Sequence, residues 1–262
     1  MFSVSTWRRW IDDIWNRPLG SMQHTVYWLG FCISGTLQRS ILHFAPSSKG
    51  IAAPYPTSCK LTLFSNEGIS KSVTLDGSRL GQPDGLWIDY AFKFIRDKSG
   101  LYGLLVELHA VQPRVDLDPS SCLIEVSSNP FIATYRPARL NADGVASASG
   151  AAPIVIDPFM KSSLVVVNGS NCDFEPRFKR AKLSSAGDSE YSSMGVGLSK
   201  RGSIVEHEIE PEWMNNALPL ETSFGLFRSG GISWDGDPPP GVVAYILYRE
   251  PSQGTPLSVC AL

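Results

Sequence analysis

The sequence is short of charge. Asp, Glu, Lys and Arg supply 18% of its 262 residues, against roughly a quarter in an average soluble domain. Neither sign dominates, since 23 basic side chains stand against 25 acidic ones for a net charge of −2. A chain without surplus cations is not a coat that grips nucleic acid over its whole surface, because displacing counterions takes many Lys and Arg. Nor is it a highly charged disordered chain, because 43% of its residues are apolar and can fill a core. Long hydrophobic runs are missing as well. The best, Val26 to Ile33, is soon interrupted by Gln38 and Arg39 and falls far short of the roughly 20 residues that span a bilayer. Arg8 and Arg9 run straight into Asp12 and Asp13, where a secretory signal would continue as an apolar core. An intracellular protein that is not secreted is the expectation.

Paired cysteines are also missing. Cys32, Cys59, Cys122, Cys172 and Cys260 are scattered and odd in number. A structural zinc site takes four ligands, usually paired by short spacing, and a disulfide framework in a short chain uses an even count. Reduced thiols are expected, with no metal and no other cofactor. Catalytic signatures are equally scarce. Gly195-Val196-Gly197 runs into Leu198-Ser199-Lys200 instead of the Gly-Lys-Ser/Thr of a phosphate loop. No Gly-x-Ser-x-Gly elbow occurs. His24, His43, His109 and His207 stand outside any zinc or nucleophile motif. In an alternating strand His207 points away from Glu206 and Glu208. Asn168-Gly169-Ser170 has the form of a glycosylation sequon and reads better as a tight turn after Val165-Val166-Val167. A non-enzymatic protein is expected. An intracellular hydrolase whose carboxylates converge only in three dimensions is one alternative.

What the sequence does have is punctuation, with 23 Gly and 19 Pro breaking it into short apolar runs. Ser5 to Asn16 has a helical period, with Trp7, Trp10, Ile11, Ile14 and Trp15 on one stripe and Arg8, Arg9, Asp12, Asp13 on the other face. That stripe is a candidate membrane or partner interface, because Trp favours such boundaries. Residues 21 to 44 read as a further helix. They complete an N-terminal helical arm, residues 1–44. Residues 45–58, rich in Pro and Ser, read as a linker, and residues 59–262 as the core domain.

In the core, Lys60 to Phe64 alternates, Asn66-Glu67-Gly68 turns, and Ile69 to Leu75 returns as a hairpin partner. Pro83 and Asp84 open the expected main helix, with Leu86, Trp87, Tyr90, Ala91, Phe94 and Ile95 at helical spacing. Short strands are expected at 122–126, 131–136, 154–156, 164–167, 204–210, 224–227 and 242–248. Residues 141–153, 184–202 and 229–241 read as loops. The expected fold class is α+β, a β-rich core of short strands with one main packed helix and an N-terminal amphipathic helix.

One local cluster stands out. Arg177, Lys179, Arg180 and Lys182 place four cations in six residues. Lys179-Arg180-Ala181-Lys182 has the pattern a nuclear-import receptor reads on an extended, flexible segment, and the same cations suit phosphate contact.

The order of elements resembles the core of rhabdovirus matrix proteins, in particular the plant-infecting, nucleus-replicating members. The likeness covers residues 59 to 140. It runs through Leu61–Phe64, the helix opened by Pro83-Asp84 with Trp87-Ile88-Asp89-Tyr90, the break at Lys98-Ser99-Gly100, and Leu101-Tyr102-Gly103-Leu104-Leu105. The chain lacks the Lys-rich N-terminus and the Pro-Pro-x-Tyr release motif that members often carry. The resemblance implies a non-enzymatic virion structural protein that self-associates and links membrane to the viral nucleoprotein–RNA complex during budding. Its partners would be further copies of itself, that complex, a membrane surface and a nuclear-import receptor. Its places would be the virion, the host nucleus and inner membranes. A movement or nuclear-shuttle protein of a plant virus, binding single-stranded nucleic acid, is a further alternative.

Overall fold

The computed structural model describes residues 24–44, 58–68, 70–76, 79, 84–96, 98–110, 122–141, 143–146, 150–183, 189–210, 220–222 and 225–262. These form antiparallel sheets with one short helix. Sheet A has the order β4-β3-β6-β1-β9, with β1 at His24–Ser34, β3 at Ser58–Phe64, β4 at Ser70–Asp76, β6 at Gly100–Ala110 and β9 at Ala138–Leu140. Sheet B is β5-β2-β7-β8, with β2 at Gln38–Phe44, β5 at Leu86–Trp87, β7 at Cys122–Ser128 and β8 at Phe131–Tyr135. Sheet C is β10-β16-β12-β13, with β10 at Ala151–Ile156, β12 at Arg177–Leu183, β13 at Ser189–Gly195 and β16 at Gly225–Trp234. A further strand, β15 at Leu220–Thr222, pairs with β16. Sheet D is β14-β11-β17-β18, with β11 at Lys161–Asn168, β14 at Ser203–Glu208, β17 at Val242–Arg249 and β18 at Pro256–Ala261.

Two inner sheets are buried on both faces, and that explains the unbroken apolar runs. In β17, Val243, Tyr245 and Leu247 enter one core, while Val242, Ala244, Ile246 and Tyr248 enter another. In β11, Val165 and Val167 face the first core, and Leu164 and Val166 the second. Sheet A is buried likewise from Trp28 to Ile33 in β1 and from Leu104 to Val106 in β6. One of its faces meets sheet B, where Gly30 lies against Ile124, Tyr135 and Pro137. The other meets sheet D, where Leu29 lies against Gly169. Sheet C covers the far side of sheet D. Close approach demands glycine at Gly103, where a Cβ would sit 2.0 Å from the Phe64 ring.

Sheets A, B and D meet at three rings. Phe31 stacks on Tyr135 at 4.8 Å between centroids, and Tyr245 stands edge-on to both. β9 pairs with β1 only over Tyr27–Leu29. Beyond it, the Tyr135 hydroxyl accepts the Phe31 N–H at 2.6 Å and donates to the Phe31 carbonyl. The Tyr245 hydroxyl donates to the Leu29 carbonyl at 2.6 Å and accepts the Ala138 N–H at 2.8 Å. Tyr135 thus satisfies backbone groups of Phe31 that β9 does not reach, and Tyr245 bridges the Leu29–Ala138 pair at the end of β9. Burial raises the pKa of both phenols.

The structure corrects the expected α+β class. Residues 24–44, read as helix, are the long strands β1 and β2. In β1 there is no alternation because both faces are covered. The main helix over 84–98 is absent as such. Leu86 and Trp87 pair with Leu42 and Ile41, a single helical turn, α1, spans Ile88–Ala91, and a 3-10 turn spans Lys93–Ile95. Trp87 offers no side-chain cap, and Phe92 leaves helical geometry at φ −121°, ψ 74°. Residues 184–202 and 229–241, read as loops, contain β13 and the end of β16, and β10 begins within 141–153. The hairpin at 58–76 forms as expected. The expected Trp7–Trp15 helix lies outside the described residues. β1 and β2, from the expected arm, pair with β6 and β7 across the expected 45–58 linker.

Candidate functional site

The basic run lies on β12, paired to β13 on one side and β16 on the other. Phe178 points inward and is fully buried, while Arg177 and Lys179 are exposed. Lys179 Nζ lies 3.2 Å from Asp235 Oδ1. Hydrogen bonds from Ser193 and Lys179, aided by the charges of Lys179 and Arg177, lower the pKa of Asp235. Arg180 Nε donates to Ser192 Oγ at 2.6 Å, and Lys182 is registered opposite Glu190. The four cations therefore lie on one paired strand, with Lys179 beside an acid. Around Arg177 and Lys179 the same face carries Ser193, Gly195, Ser233, Ala151 and Pro153, all small. Reaching an import receptor in extended form would require freeing this strand from two neighbours.

Sheet B has a different outer face. Arg39 Cζ lies 5.5 Å from the Trp87 ring centre, Trp87 stands edge-on to Tyr90 at 6.2 Å, and Arg96 Cζ lies 5.3 Å from the Tyr90 ring. Lys71 Nζ lies 4.2 Å from the Phe94 ring close by. Three cation–aromatic contacts thus converge on residues 87–94. Tyr90 is 55% exposed, and Arg39, Lys93, Arg96 and Lys98 are all exposed. Asp84 is exposed, Asp89 is buried, and Asp97 lies outside the described residues. Glu125 is engaged by His43 at 3.1 Å. No sequence motif announces this group. The register of β5 on β2 brings Trp87 beside Arg39, and the turn of α1 and the 3-10 segment brings Arg96 over Tyr90.

Sheet A carries a polar corner on its D-facing side. Asp76, Ser58, His109 and Thr25 lie in one row across β4, β3, β6 and β1, and Thr74, Lys60, Glu107 and Tyr27 in the next. Glu107 is 3% exposed, and its Oε2 lies 2.8 Å from Lys60 Nζ. His109 Nδ1 lies 3.0 Å from Thr25 Oγ1. A buried carboxylate needs such a partner to offset its lost hydration. The corner can fix charges in place, but it does not present two convergent acids.

Other carboxylates are matched too. Glu206 meets Arg249 at 2.9 Å and Glu208 meets Lys161 at 2.8 Å. His207 lies on β14 between them, and burial lowers its pKa. Among the described residues no group of three or more His, Cys, Asp or Glu is placed to hold a metal ion. All five cysteines are free. Burial pushes the Cys59 thiol up to about 12 and raises Cys32 and Cys122 also, so these three are poor nucleophiles. Asn168 of the sequon is fully buried, with its amide donating to the carbonyls of Cys172 and Ser199 at 3.0 Å each. No helix among the described residues is long and apolar enough to cross a membrane. The Trp7, Trp10, Ile11, Ile14 and Trp15 stripe falls outside them. No protein-family model matches the chain, and no curated protein matches it.

Proposed function

We propose that the chain is a non-enzymatic structural protein of the viral matrix type, which self-associates and joins a membrane surface to a ribonucleoprotein. The observation that carries the reading is an apolar corner of sheet B. Leu37 is 79% exposed, Ile132 64% and Phe131 44%. Gln38 pairs with Ser128, and Ser128 with Phe131, so the three residues lie at one end of the sheet, with Phe131 and Ile132 on opposite faces of β8. Exposed apolar groups gathered on both faces of one sheet end suit a contact that wraps that end. Sparse surface charge lowers the desolvation cost of such a contact. The membrane part leans on the expected Trp stripe, and the ribonucleoprotein part on the cationic aromatic face of sheet B.

Sedimentation and liposome flotation test it. We expect concentration-dependent oligomers that Phe131→Ser with Ile132→Ser dissociates, and flotation with anionic vesicles. A protein that stays monomeric and ignores both vesicles and ribonucleoprotein overturns the reading. Host-nuclear placement is part of the same proposal. A fluorescent fusion carrying Lys179→Ala and Arg180→Ala that still accumulates in nuclei removes the import role of that run.

A further inference from the structure

We infer that the outer face of sheet B around Trp87 and Tyr90 is a binding platform for single-stranded nucleic acid. The inference deepens the ribonucleoprotein half of the proposed function and rests on it for the source of the ligand. Proteins that hold single strands combine rings on which unpaired bases stack with cations that track the phosphates. Both are present here. Tyr90 keeps more than half its surface in water although two aromatic and cationic neighbours hold it. A side chain so held loses little freedom when a base lands on it. The guanidinium groups of Arg39 and Arg96 sit over the outer rings, and Arg planes accept stacked bases as rings do. Lys93 and Lys98 extend the positive rim, with Asp84 the exposed acid among the described residues of that segment.

The arrangement favours single strands over duplex. Duplex bases are stacked on one another, so their faces cannot meet Tyr90. It also differs from sheet C, where Lys179 is held by Asp235. A phosphate there would have to compete with a carboxylate already in place. On sheet B, Arg39 and Arg96 rest on π-faces, which attract them weakly, and among the described residues no ion pair is formed by either.

Fluorescence anisotropy with labelled single-stranded RNA and DNA oligonucleotides of one sequence, a duplex of that sequence, and anionic vesicles as a competitor tests this on the full chain. We expect single strands to bind more tightly than duplex. Tyr90→Ala should weaken binding about tenfold, and Tyr90→Phe should restore it. Arg39→Ala and Arg96→Ala should each lower the salt slope by about one. A preference for RNA over DNA assigns the 2′-hydroxyl a role, and equal binding leaves the shared base-and-phosphate chemistry as the ligand. Equal affinity for duplex, an unchanged affinity in Tyr90→Ala at an unchanged unfolding midpoint, or binding to vesicles alone overturns the inference. Sedimentation of the same samples separates it from the broader reading. Oligomers without RNA binding sink the platform alone, and RNA binding by a strict monomer sinks the assembly role alone.

Discussion

Sheets B and C each cover a doubly buried inner sheet, yet they present opposite surfaces to solvent. Sheet C holds the densest run of cations in the sequence, and its strand geometry largely spends them. Lys179 meets Asp235 and Arg180 meets Ser192. Sheet B holds no run at all, but it gathers Arg39, Trp87, Tyr90 and Arg96 from positions far apart in the chain. Net attraction depends on which charges lack an acid beside them, and a sequence window does not report that.

Phe178 is fully buried beneath the basic strand, tilted against Trp234 at 4.5 Å between ring centres. Phe178→Ala should cost about 3–5 kcal/mol of folding stability, read from urea unfolding. Tyr90→Ala on the exposed rim should cost no more than about 0.5 kcal/mol. Similar losses at both positions would mean that the sheet B face is structural rather than a surface poised for a ligand.

Next in size is the junction where Tyr245 of sheet D holds β1 and β9 of sheet A. Tyr245→Phe leaves the Leu29 carbonyl and the Ala138 N–H without their shared hydroxyl. About 1–3 kcal/mol should be lost, with the ring packing kept. An unchanged midpoint would show that water replaces the hydroxyl there.

Smaller still is the direct contest between the two cation sets. Replacing Arg39 and Arg96 by Ala should lower single-strand affinity several-fold at low salt, roughly a salt-slope unit for each phosphate no longer neutralised. Replacing Arg177 and Lys179 should leave it nearly unchanged. The reverse ranking would return the phosphate-binding role to β12.

The smallest effect is a titration. Hydrogen bonds from Ser193 and Lys179 hold Asp235 below its ordinary value of 3.8. A depressed carboxylate stabilises the fold at pH above its ordinary range, and the contribution disappears as pH falls through the folded value. Carbon-detected NMR of the Asp235 carboxyl should show the low value, and Lys179→Ala should move it toward 3.8. An unaltered titration would mean that Lys179 is not engaged, and sheet C would regain a free cation.

Legibility followed exposure. The β3–β4 hairpin could be read because one face of β4 meets water, and so its residues alternate around an Asn-Glu-Gly turn. β7, β8, β11, β14 and β17 were likewise visible as short apolar runs between breaks. β1 was not, because burial on both sides erases the period of two that separates strand from helix, and the buried Ser40-Ile41-Leu42 run of β2 has no such period either. Leu86 to Ile95 misled in the opposite direction. Its apolar spacing fits a helix, but β2 recruits Leu86 and Trp87 as strand and Phe92 breaks the turn that follows. With that helix goes one of the elements that carried the likeness to matrix proteins. β13 and the last residues of β16 were hidden by composition, since Ser and Gly form strands there only because β12 pairs with both. The basic run was legible, but its acid at Asp235 lies more than fifty residues away. The sheet B platform needed the pairing of β5 with β2, and no local pattern encodes it.

The shared wall formed by β11 and β17 has a consequence for how the molecule comes apart. Val165 and Val166 are neighbours in one strand, yet they belong to different cores. Peeling away either outer layer exposes the back of a sheet whose front supports the other half. Neither half has a complete interior of its own, so unfolding should proceed as a single cooperative event. The amides of β11 and β17 should then be the last to exchange with solvent, opening only when the whole chain does.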